Sequence, residues 1–60
     1  MKISQLNVEQ LEQVKVHYWT EKNGENISYG EIANIDNLVS NEEIFEAYGH
    51  MDFTEDDFSN

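Results

Sequence analysis

The groups with which this chain could do chemistry are two histidines, His17 and His50, and thirteen carboxylates, with no cysteine beside them. Neither histidine has a nucleophile or an acid at a spacing that forms a catalytic motif, and no glycine-rich phosphate loop is present. His17 falls between two core-type positions of a predicted helix and His50 follows a helix-ending glycine, so each reads as a surface or boundary residue. Asp52, Thr54 and Asp56 alternate like the first ligands of a calcium loop. Asp57 stands where that loop needs glycine, and no closing glutamate follows, so no dedicated metal site and no cofactor are expected. An enzyme is not expected either, since a chain this short leaves little room for a substrate pocket beside a core.

The carboxylates are the informative chemistry. After Lys22 the chain has no lysine or arginine, yet it carries Glu25, Glu31, Asp36, Glu42, Glu43, Glu46, Asp52, Glu55, Asp56 and Asp57. With a formal charge of -10, such a surface attracts basic partners and repels nucleic acid and anionic membranes. Acids three or four apart on a helix lie about 5–6 Å apart, comparable with the phosphate spacing along a DNA strand. Glu42 and Glu46 make such a pair, Glu43 extends it, and Asp52 with Glu55, Asp56 and Asp57 could continue the line. Trp19, next to Tyr18 on the same helix, is the candidate apolar anchor. For most of the other aromatics, Tyr18, Tyr29, Phe45, Tyr48, Phe53 and Phe58, the expected place is the core.

The elements that must position these acids are announced by one recurring pattern: apolar, cap residue, two others, acid or amide, apolar. It occurs as Leu6-Asn7-Val8-Glu9-Gln10-Leu11, Ile27-Ser28-Tyr29-Gly30-Glu31-Ile32, Val39-Ser40-Asn41-Glu42-Glu43-Ile44 and Phe53-Thr54-Glu55-Asp56-Asp57-Phe58. Each has the form of a capping box inside a hydrophobic staple. The boxes predict helices over 8–22, 29–36 and 41–48 and a terminal turn over 55–58. Asn23-Gly24 and Gly49 should be left-handed stops, and the second helix should fade near Asp36 and Asn37. The fold class is therefore all-α, a three-helix array with a C-terminal helical turn, forming a single domain over 1–60. The alternative is α+β, with a hairpin at Asn23-Gly24 joining a strand through Val14, Val16 and Tyr18 to one at Ile27-Ser28-Tyr29.

Capping also limits what the acids say about function. Glu31, Glu43 and Asp57 complete boxes, and Glu42, Glu55 and Asp56 lie in first turns, where the helix dipole favours anions. Glu25, Asp36, Glu46 and Asp52 have no such role. The absence of basic residues from the last turns of the later helices is thus more informative than the number of acids.

The stretch Glu31-Ile32-Ala33-Asn34-Ile35-Asp36-Asn37-Leu38-Val39-Ser40-Asn41-Glu42-Glu43-Ile44-Phe45-Glu46-Ala47-Tyr48, with Phe53 to Phe58 and the opening Leu6 to Gln13, resembles short acidic proteins of Gram-positive phages and mobile elements. In size and charge the chain is similar to the anti-restriction and anti-CRISPR inhibitors among them that mimic DNA. The resemblance implies a non-enzymatic inhibitor in the bacterial cytoplasm, bound to the basic nucleic-acid site of a host defence or DNA-processing protein. The alternative is a mobile-element regulatory or interaction module whose acidity serves solubility and capping. No membrane-length apolar run occurs, and exposed aromatics make a homodimer plausible.

Overall fold

Asn7 is extended, with φ -80° and ψ 176°, and its Oδ1 accepts the Gln10 N–H at 2.8 Å while Gln10 Oε1 accepts the Asn7 N–H at 3.0 Å. This reciprocal pair starts the longest element of a computed structural model that describes residues 1–58. The helices are α1 (Val8–Asn23), α2 (Tyr29–Ala33), α3 (Ile35–Leu38) and α4 (Asn41–Tyr48), preceded by a 3-10 turn at Ile3–Gln5 and followed by another at Glu55–Asp57. No strand occurs among the described residues, so the fold is all-α. The hairpin alternative is excluded because α1 runs unbroken through Val14, Val16 and Tyr18. Asn23-Gly24 acts as the helix stop instead, with Gly24 left-handed at φ 69° and its N–H donating to Thr20 O at 2.8 Å.

Three sequence expectations need correction. The helix expected over 29–36 is two short helices broken at Asn34, whose φ of -108° and ψ of 18° end α2 and start α3. Its carbonyl accepts from the N–H groups of Asn37 and Leu38, so the chain turns without leaving that group unpaired. Beyond the break Ile35 and Val39 are both buried in the core. Gly49 is right-handed, with φ -60°, and the only positive φ belongs to Gly24 among the described residues. Glycine is needed at Gly49 for another reason: a Cβ there would collide with the Phe45 carbonyl oxygen.

The third correction concerns the core. It consists of Ile3, Leu6, Val14, Ile35, Val39, Ile44 and Phe53, with Leu11, Val16, Tyr18, Trp19, Ile27, Tyr48 and Phe58 packed around it. An aromatic ladder crosses the molecule: Tyr18 meets Tyr48 edge-on at 6.0 Å, Tyr48 meets Phe53 edge-on at 6.3 Å, and Phe53 lies 5.9 Å from Phe58. Edge-to-face pairs at this range add to the burial of the rings themselves. Of the aromatics expected in the core, Tyr29 is 93% and Phe45 40% exposed, and Val8 at the start of α1 is 71% exposed. Lys15 takes the inward place instead: it is 4% exposed, its stem lying in the core edge and its ammonium reaching Asp36.

The first residues close the structure against its far end. Backbone hydrogen bonds run from the Met1 nitrogen to Phe53 O and from Phe53 N to Met1 O, and Ile3 and Leu6 fill the core behind them. The second box is complete, and the fourth is half made, its Thr54 hydroxyl accepting nothing from the Asp57 N–H. Ser28 accepts from the Glu31 N–H at 3.3 Å and Glu31 reaches back to Ser28 N at 3.0 Å. At the last turn Asp57 accepts from Thr54 N at 2.8 Å, while its own N–H goes to the Thr54 carbonyl.

Candidate functional site

Ser40 starts α4 by accepting the Glu43 N–H at 3.1 Å, but the Glu43 carboxylate does not return to Ser40. It turns toward α1, where it accepts from the Tyr18 hydroxyl at 2.8 Å and from Lys22 Nζ at 3.3 Å. The box expected at Glu43 is thus half made, because two donors from another helix outcompete the one local N–H. The Tyr18 hydrogen bond, and after it the Lys22 ammonium, holds the Glu43 carboxyl below the usual glutamate value. The same bond, with burial, raises the Tyr18 phenol above the usual tyrosine value.

Every lysine of the chain is engaged in this way. Lys2 Nζ lies 3.1 Å from Asp52, Lys15 Nζ 2.7 Å from Asp36 and Lys22 Nζ 3.3 Å from Glu43. All three partners belong to the stretch without basic residues, so its compensation comes from the other end of the chain. Asp36 and Asp52, for which capping gave no role, thus gain one from these bridges. The Lys15 pair is asymmetric, with a buried ammonium meeting an Asp36 side chain that is 67% exposed. Breaking it would leave a cation out of water without its counter-charge.

The candidate acids therefore divide. Glu43, Asp52 and Asp57 are occupied by Tyr18 and Lys22, by Lys2 and by Thr54. Glu42, Glu46, Glu55 and Asp56 are exposed and make no side-chain hydrogen bond or ion pair among the described residues. Glu42 borders a depression of about 430 Å³ lined also by Val8, Leu11 and Lys15 of α1 and by Asp36. Glu55 and Asp56 border another, of about 600 Å³, against Asn7, Glu9 and Gln10 at the start of α1. The acids expected to form one line along α4 and the last turn are thus dispersed: Glu42 borders the first hollow, Glu55 and Asp56 the second together with Glu9, and Asp52 and Asp57 a third beside His17 and Tyr48. Trp19, the expected anchor, is half-buried and packs on the core.

Glu9 and the exposed face of α2 are the features that reading by caps and charge passed over. Glu9 was legible as a first-turn acid of α1. The outward turn of α2 was not, since its spacing matches a buried staple. No group of three or more His, Asp or Glu gathers as metal ligands do among the described residues, and no helix there is long and apolar enough to cross a membrane. His17 lies 3.8 Å from Glu21, one turn on, in an exposed pair. Comparison with protein-family profiles, with curated proteins and with solved structures gives no match.

Proposed function

We propose that this protein is a non-enzymatic acidic inhibitor that occupies the basic nucleic-acid site of a host defence or DNA-processing protein by presenting a DNA-like field. The observation that carries the reading is the fate of the lysines: all three are spent on intramolecular bridges, leaving Glu42, Glu46, Glu55 and Asp56 as free outward charge. Four carboxylates with no unpaired lysine or arginine among the described residues attract an arginine- or lysine-lined groove and steer its approach. The resemblance to acidic phage and mobile-element proteins points to the same class of partner.

Affinity capture from a Gram-positive lysate, with each captured protein then challenged by duplex DNA, tests the reading. Saturating DNA is expected to release the partner, and binding should weaken steeply with added salt, as charge-dominated association does. A ternary complex, in which DNA fills the partner's nucleic-acid site while this protein stays bound, overturns the proposal. Replacing Glu42, Glu46 and Asp56 by their amides should weaken capture by about tenfold or more with the helical circular dichroism unchanged.

A further inference from the structure

The helix α2 has five residues, carries Gly30 within its first turn and buries none of its side chains. Helices this short do not sustain themselves in water, and apolar packing is what normally holds them. Here the apolar side faces outward instead. Tyr29 is 93% exposed and Ile32 39% exposed, and with Ala33 they stand at positions i, i+3 and i+4 on one face. Beside Ile32 an open depression of about 700 Å³ runs along α1, with Val16 and Thr20 in it and Glu9 and Glu12 on its border. An aromatic ring, a branched aliphatic and a hollow bordered by carboxylates have the composition of an interface core with its polar rim.

Charge decides what can cover this face. In a two-fold dimer the same patch meets its copy, so the carboxylates of Glu9 and Glu12 from both molecules share one contact between molecules of charge -10 each. A partner with lysine or arginine around an apolar side chain turns both terms favourable. We infer that the α2 face and the hollow beside Ile32 dock a basic amphipathic segment of another protein, its apolar side chain against Ile32 and Val16 and its cations toward Glu9 and Glu12. The inference rests on the reading of a basic partner and adds to it the contact that does not depend on charge alone.

The test uses a synthetic peptide of repeating Leu-Lys-Lys-Leu, and the same peptide with glutamine for lysine, titrated into the isotope-labelled protein while amide shifts are followed. The lysine peptide should move Val16, Thr20, Tyr29 and Ile32 most, and the glutamine peptide should bind much more weakly. The double variant Tyr29→Ser and Ile32→Ser keeps the charge and should weaken binding about tenfold. The variant Glu25→Gln, an exposed acid outside both the docking face and the four free carboxylates, should change it less than about threefold. Both exchange exposed side chains, and unchanged shifts elsewhere report that the fold persists.

Shifts centred on Glu42 and Glu46, or an amide variant that weakens binding more than the serine variants, overturn the docking face. So does a concentration-dependent dimer abolished by the serine variants, or equal binding of the glutamine peptide. The outcomes separate from those of the function test. Shifts centred on α4 while DNA still displaces the captured partner defeat only the docking face, whereas a ternary complex with DNA defeats the mimicry reading.

Discussion

Glu43 shows how much one side chain decides. Its backbone N–H is capped by Ser40, while its carboxylate ties α4 to Tyr18 and Lys22 of α1. The fold favours ionised Glu43, so this contribution is complete above the ordinary glutamate range and is lost as pH falls through the lowered Glu43 value. The fold also favours neutral Tyr18, so that part is complete below the ordinary tyrosine range and disappears as pH rises through the raised Tyr18 value. Stability from this contact should therefore be flat through neutral pH and fall at both ends. In Tyr18→Phe the Glu43 carboxyl, followed by carbon NMR, is expected to titrate nearer to an ordinary glutamate. An unchanged Glu43 titration would show that Lys22 alone sets its value.

At the scale of elements, two glycines give opposite expectations. Gly30 sits in α2 with open space where a Cβ would go and a φ outside the left-handed region, so Gly30→Ala should stabilise by about 0.5–1 kcal/mol. Gly24 has equally open space but a φ of 69°, so Gly24→Ala should destabilise by about 1 kcal/mol. Thermal unfolding of the two variants checks both signs. Helix starts were readable from the sequence because a cap and its reaching side chain lie three residues apart and need nothing else, as at Asn7 with Gln10 and Ser28 with Glu31. What was not readable depends on residues far away in sequence. Glu43 leaves its box for donors on α1, the chain breaks at Asn34 with Ile35 and Val39 buried beyond it, and Gly49 answers to the Phe45 carbonyl. Of the candidate site, the acids were legible by type, but which of them remained free depended on where three lysines landed.

For the molecule as a whole, three lysine bridges oppose the repulsion of a chain with charge -10. The Lys2–Asp52 pair is exposed at both ends, and such pairs contribute about 0–1 kcal/mol, whereas the Lys15–Asp36 pair has a buried ammonium that depends on its carboxylate. Self-repulsion acts among all the remaining acids, and salt screens it over about 8–10 Å at ordinary ionic strength. Raising sodium chloride from about 0.05 M to about 0.5 M should therefore raise the unfolding midpoint, although it weakens each bridge. A lower midpoint at high salt would mean that the bridges outweigh the repulsion.

The pairing of Met1 with Phe53 spans 52 positions and has a consequence for how the protein is made. Ile3 and Leu6 have no completed core to enter until Ile44 and Phe53 have been synthesised. At roughly 5–20 residues per second the ribosome leaves an interval of about 3–10 s in which the opening apolar residues have only local company. The acids between them outnumber the lysines, so like charge discourages newborn chains from clustering during that wait and keeps each copy to itself until Phe53 arrives.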